Sequence, residues 1–80
     1  METNDYESDS KFGHWLREQR VNAGLDLKQA SLKTGISEER LKALEVGYAE
    51  KGITRSESEK ISSVYKLLLQ NVLSRATGNL

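Results

Sequence analysis

The spacing of apolar residues predicts a series of short helices joined by glycine-centred turns. Phe12, Leu16 and Gln19 fall at helical spacing, with Trp15 beside them. A first helix is therefore expected from about Lys11, behind Ser10 as its cap, to Asn22, closed by Ala23-Gly24-Leu25. A second is expected from Leu27 to Thr34. Asp26 is a good N-cap for it, and Gln29, three residues on, completes a capping box. A third runs from Glu38 to about Val46, capped by Ser37, with Glu38 and Glu39 suiting its positive end and Gly47 stopping it. Gly35 between these two helices takes the left-handed conformation that ends the second. Leu41 and Leu44, three apart, face inward together. Ser31 is small where the third helix crosses close by at a steep angle. After the loop GYAEKGIT, Thr54 or Ser56 can cap a further helix beginning near Glu57, with Ile61, Val64, Tyr65 and Leu68 on one side. The pattern continues through Leu69, Val72 and Leu73 to about Arg75, as one long helix or as a helix followed by a short fifth one. ATGNL stops it.

No long run alternates apolar and polar with β-branched residues, so the fold expected is all-α: a compact bundle of four to five helices over residues 11–76. Eighty residues allow one modest core, and without cysteine neither a disulfide framework nor a cysteine metal site supplements it. The longest apolar run, Leu67 to Leu69, is too short to span a membrane, and the N-terminus lacks the basic and apolar regions of a signal peptide. A cytoplasmic or virion-internal location is the expectation, with no membrane partner.

The formal net charge of zero conceals an asymmetry. METNDYESDS carries Glu2, Asp5, Glu7 and Asp9 and no basic residue, leaving 12 basic against 8 acidic residues in positions 11–80. Residues 1–10 are expected to be a disordered acidic tail, and residues 77–80 a disordered C-terminus. The tail is either a solvated, solubilising segment or an acidic arm that competes with DNA phosphates or docks on a partner.

Enzyme chemistry has no foothold. There is no glycine-rich phosphate loop, no nucleophile beside a base and no metal-ligand cluster, and so short a chain offers little room for a substrate pocket. No cofactor, metal or small-molecule substrate is expected. His14, the only histidine, has no companion ligands and reads as an exposed helix position. Trp15 reads as packing at the bundle edge. The short helix, glycine turn and second helix over DLKQASLKTGISEERLKALEV carry a different chemistry. A second helix docked in this way leaves Ser37, Glu38, Glu39, Lys42, Ala43 and Val46 exposed, on a face suited to a DNA major groove.

FGHWLREQRVNAGLDLKQASLKTGIS and LKALEVG together resemble the helix-turn-helix family of phage repressors and Cro proteins, over roughly Phe12 to Leu69. The resemblance rests on Phe12 and Leu16-Arg17 in helix 1, Arg20 four residues before Gly24, Gly24-Leu25 before helix 2, Gly35-Ile36-Ser37 at the turn, and Leu44-Glu45 with Gly47 ending helix 3. It implies double-stranded DNA as partner and a transcriptional regulator as function. It also implies a partly buried ion pair between Arg20 and Glu45, since a guanidinium can grip a carboxylate through two bonds.

The chain departs from that family in two places. Leu27 stands where many members bond a phosphate through glutamine, and Glu38 and Glu39 stand where bases are often read by glutamine, arginine or serine. Carboxylates are repelled by the phosphate backbone, yet a glutamate can accept from the cytosine amino group. Basic support is expected from Lys28, Lys42, Lys51 and Arg55, with Arg40 and Lys33 as weaker candidates. Leu67, Leu68, Leu69, Val72 and Leu73 exceed one helical stripe; they either finish the core around Phe12 and Trp15 or form a homodimer interface, for which Leu68, Leu69, Val72 and Leu73 are the candidates. The alternative function is protein binding. Some bacterial membrane-associated cytoskeletal adaptors carry a similar domain, and LKALEVG resembles theirs.

Overall fold

A computed structural model describes residues 4–49 and 52–77, which form five helices: α1 (Asn4–Asn22), α2 (Leu27–Thr34), α3 (Glu38–Val46), α4 (Arg55–Tyr65) and α5 (Leu69–Thr77). α1 packs on α3, α2 on α3 and α4, and α4 on α5.

The helix ends follow local rules. Asp26 accepts from the Gln29 backbone N–H while the Gln29 side chain accepts from the Asp26 N–H, a reciprocal capping box opening α2. Ser37 caps α3 by accepting from the Arg40 N–H at 3.1 Å. Thr54, rather than Ser56, caps α4, in a second capping box with Glu57. Gly35 and Gly47 close α2 and α3 with positive φ, as the turn geometry requires. Thr34 ties the turn together: its hydroxyl donates to the Ala30 carbonyl and accepts from the Ile36 N–H.

Two boundaries differ from the sequence expectation, and a third decides between its two alternatives, in favour of a helix followed by a short fifth one. α1 begins at Asn4, so residues 4–10 are helical and Ser10 lies inside the helix instead of capping it. The stretch from Asn4 to Phe12 holds no glycine or proline to interrupt the helix. Residues 1–3 and 78–80 lie outside the described residues, and α5 extends through Thr77. The apolar pattern after Thr54 divides into two helices at Lys66, which adopts φ 61°. There the Leu67 N–H bonds the Ser62 carbonyl at 2.8 Å and Leu67 packs on the core, the Schellman arrangement with its apolar contact. A half-buried leucine packed on the core after the turn stabilises a backbone that would ordinarily call for glycine.

Leu16, Ala30, Ile36, Leu41, Leu44, Ile61 and Tyr65 form the core, with Phe12, Trp15, Leu25, Leu27, Ile53, Val64 and Leu67 packed around it. Val72 is fully buried, which removes it from any dimer interface; Leu69 and Leu73 are half-buried and Leu68 is exposed. Ala30 is the fully buried small residue of α2, whereas Ser31 is only half-buried. The cap at Asp26 sets this register: Leu27, Ala30 and Thr34 share the inner face at i, i+3 and i+7. Trp15 lies 6.0 Å from Phe12, ring to ring, and the Arg75 guanidinium sits 5.1 Å over the Trp15 ring, fastening the end of α5 to α1.

Candidate nucleic-acid interface

α3 is held by its inner side. Arg20, on α1, donates from Nε to Glu45 Oε2 at 2.8 Å and from Nη2 to Glu45 Oε1 at 3.1 Å, and from Nη1 to the Leu25 carbonyl at 2.9 Å. One guanidinium thus joins α1, the α1–α2 turn and α3. The two side chains are 10% and 6% exposed, so the pair is nearly desolvated. The bond to Glu45 holds the Arg20 guanidinium above its ordinary pKa, outweighing the opposing effect of burial.

Two turns before Arg20 on the same face, Gly13 is buried against the backbone of α3, where a Cβ would collide with the Glu45 carbonyl oxygen. Gly13 positions α3 by this close approach, a role that the apolar spacing of α1 does not mark. The signal was available, because a glycine inside a helical pattern marks either a weak point or a close backbone approach.

The outer side of α3 is the candidate reading surface. At about 100° per residue, Glu39, Lys42 and Val46 lie opposite Leu41, Leu44 and Glu45. Glu38, Glu39, Lys42 and Val46 are exposed. Among the described residues, the side chains of Glu38, Glu39 and Lys42 make no hydrogen bond or ion pair, although Lys42 lies four residues from Glu38. Ser37 is exposed, but its hydroxyl is engaged as the cap. Ala43 is half-buried, and its carbonyl accepts from the Gly47 and Tyr48 N–H groups.

The basic candidates separate by what they already hold. Lys28 and Lys33 are exposed on α2. Arg55, the first residue of α4, is exposed and pairs with Glu59 at 3.2 Å, a solvated contact of little strength. Arg40 is committed internally: Nε donates to Glu57 Oε2 at 2.8 Å, and Nη2 donates to Glu57 Oε1 at 3.0 Å and to the Gly52 carbonyl at 2.6 Å. Its guanidinium, together with the Thr54 N–H, holds the Glu57 carboxyl below the usual carboxylate range against the opposing effect of burial. Lys51 lies outside the described residues. Leu27 is half-buried and packs on the core, so the first position of α2 is used for packing.

Among the described residues no group of three histidine, cysteine, aspartate or glutamate side chains is placed to hold a metal ion, and no helix is long and apolar enough to cross a membrane. A family model described as a helix-turn-helix domain matches residues 15–55, just over half of the chain. No curated protein matches the chain.

Proposed function

Because the chain belongs to the helix-turn-helix domain family, a kind of domain that binds DNA and is not an enzyme, we propose that it is a sequence-specific transcriptional regulator of the repressor and Cro type that reads the major groove with α3. The observation that carries this reading is the docking of α3. Arg20 and Gly13 hold its inner side on α1, and Glu39 and Lys42 project from the other side without an intramolecular partner among the described residues. Glu38 and Ala43 flank the groove-facing stripe and Ser37 stands at its entrance. Lys28, Arg55 and Lys51 contact phosphates. A homodimer joined through Leu68, Leu69 and Leu73 presents two copies of α3 to two half-sites. Under this reading the protein works where its DNA target lies, in the cytoplasm.

The test is a fluorescence-anisotropy titration with duplex DNA across a salt series. Three or four phosphate contacts give a slope of log affinity against log salt of about −3 to −4. Lys42→Glu abolishes binding while leaving the helical circular dichroism unchanged. Undiminished binding by that variant overturns α3 as the reader, and no binding by the wild type at low salt overturns the function.

One observation favours a second reading, in which the fold binds a protein. Leu32 is 77% exposed and Tyr48 70%, beside a recognition helix that opens with two glutamates and ends with exposed Val46. Under this reading the DNA titration is flat.

A further inference from the structure

We infer that Glu39 and Lys42 form a two-residue reading head that selects a C·G base pair, with the Glu39 carboxylate accepting from the cytosine amino group and Lys42 donating to guanine. The inference rests on the DNA-binding reading above and names the base chemistry that site takes.

Three observations carry it. Glu39 lies at the centre of the outward face of α3, opposite Leu41, Leu44 and Glu45, and Lys42 lies three residues on, one turn along the same face. Neither side chain has an intramolecular partner among the described residues, so both carry their full hydrogen-bonding capacity outward. The neighbouring cation that would otherwise change the chemistry of this face, Arg40, is turned away by Glu57 and the Gly52 carbonyl. The head therefore consists of an acceptor-only carboxylate and a donor-only ammonium.

The major-groove edges of the four bases decide what such a pair can bind. A carboxylate needs an exocyclic amino donor, which cytosine and adenine supply and guanine and thymine do not. On adenine the N6 amino group sits beside the N7 acceptor, whose lone pair opposes a carboxylate. On cytosine the position next to the N4 amino group is a C–H, with no opposing lone pair. Lys42 finds two acceptors, O6 and N7, on guanine. The complementary arrangement is cytosine facing Glu39 and guanine facing Lys42, in one pair or in adjacent pairs. The ammonium also offsets the repulsion between Glu39 and the phosphates.

The substitution Glu39→Gln provides the sharpest test, because glutamine is matched to adenine N6 and N7. Glu39 is exposed in the first turn of α3, so the variant keeps the fold, which circular dichroism checks. Binding-site selection from a random duplex pool is run in parallel with wild type and Glu39→Gln. The wild type is expected to enrich sites with an invariant C·G pair. The variant is expected to transfer one cytosine to adenine, with replacement of that cytosine weakening wild-type binding by about tenfold or more. Enriched sites that lack the C·G pair, or that Glu39→Gln leaves unchanged, overturn this inference and leave the DNA-binding function standing. Failure of both proteins to bind any duplex at low salt overturns that function, and the inference with it.

Discussion

The Glu45 carbonyl of α3 rests against Gly13 of α1 so closely that not even a methyl group fits between them. The Glu45 side chain is gripped from the same helix two turns later by Arg20. One residue of the recognition helix is thus fixed at its backbone and at its side chain by a single face of α1. This double anchoring, rather than the sequence of α3, sets the angle at which Glu39 and Lys42 leave the domain.

Gly13→Ala tests the backbone half of the anchor. Alanine is the better helix former by about 1 kcal/mol, yet the added methyl meets backbone, which cannot yield as a side chain can. A net loss of about 1–3 kcal/mol is expected by urea denaturation, with weaker binding of duplex DNA. A stabilised variant shows that α1 and α3 separate without cost.

Glu45→Ala tests the side-chain half. It leaves the Arg20 guanidinium buried with only the Leu25 carbonyl as partner, and a loss of about 3–5 kcal/mol is expected for breaking a buried pair. A loss under about 1 kcal/mol in the same denaturation experiment shows instead that the guanidinium reaches water when its partner is removed.

Acid is expected to destabilise the domain through Glu57. Its carboxyl titrates below its ordinary value in the folded state, so its bond to Arg40 stabilises fully above the unfolded pKa and is lost as pH falls through the folded one. The melting temperature is expected to drop below about pH 4.5, and Glu57→Gln to flatten part of that drop while lowering stability at pH 7. A wild-type acid transition identical to that of the variant assigns the effect to other carboxylates.

Tyr65→Phe is expected to leave the domain as stable as the wild type or more so. The Tyr65 hydroxyl is buried with no hydrogen-bond partner among the described residues, and removing it removes a desolvation cost of about 1–3 kcal/mol. Burial, aided by Glu45, pushes the Tyr65 pKa up from 10.0 to about 12. Because the folded value is the higher one, the stability tied to the neutral phenol is present below pH 10 and falls away as pH rises towards 12. Thermal melts at pH 9 to 11 should show that fall in wild type and less of it in the variant. A marked destabilisation by Tyr65→Phe shows that a bound water satisfies the hydroxyl.

The central motif was legible in the sequence because its signals are local. Asp26 with Gln29, Gly35, Ser37 and Gly47 each act on backbone groups within four or five residues, so their spacing alone places α2 and α3. The start of α1 and the break at Lys66 were less legible. An acidic stretch suits both a solvated tail and a helix N-terminus, and a left-handed lysine has no sequence mark; it depends on Leu67 finding the core.

By itself, then, the sequence determined the helical class, the turn at the centre and the outward side of α3, since each follows from interactions between near neighbours in the chain. Tertiary structure decided which charges remain available. In the sequence Arg40 stands among the candidate phosphate contacts, yet its guanidinium is held by Glu57, 17 residues away. Leu27 and Val72 are apolar at positions that suit either a core or a surface, and packing assigned both inward. Gly13 gained its role only when α3 was laid across it. Such pairings join groups far apart in the chain, and only the packing angle of the helices determines whether their atoms meet.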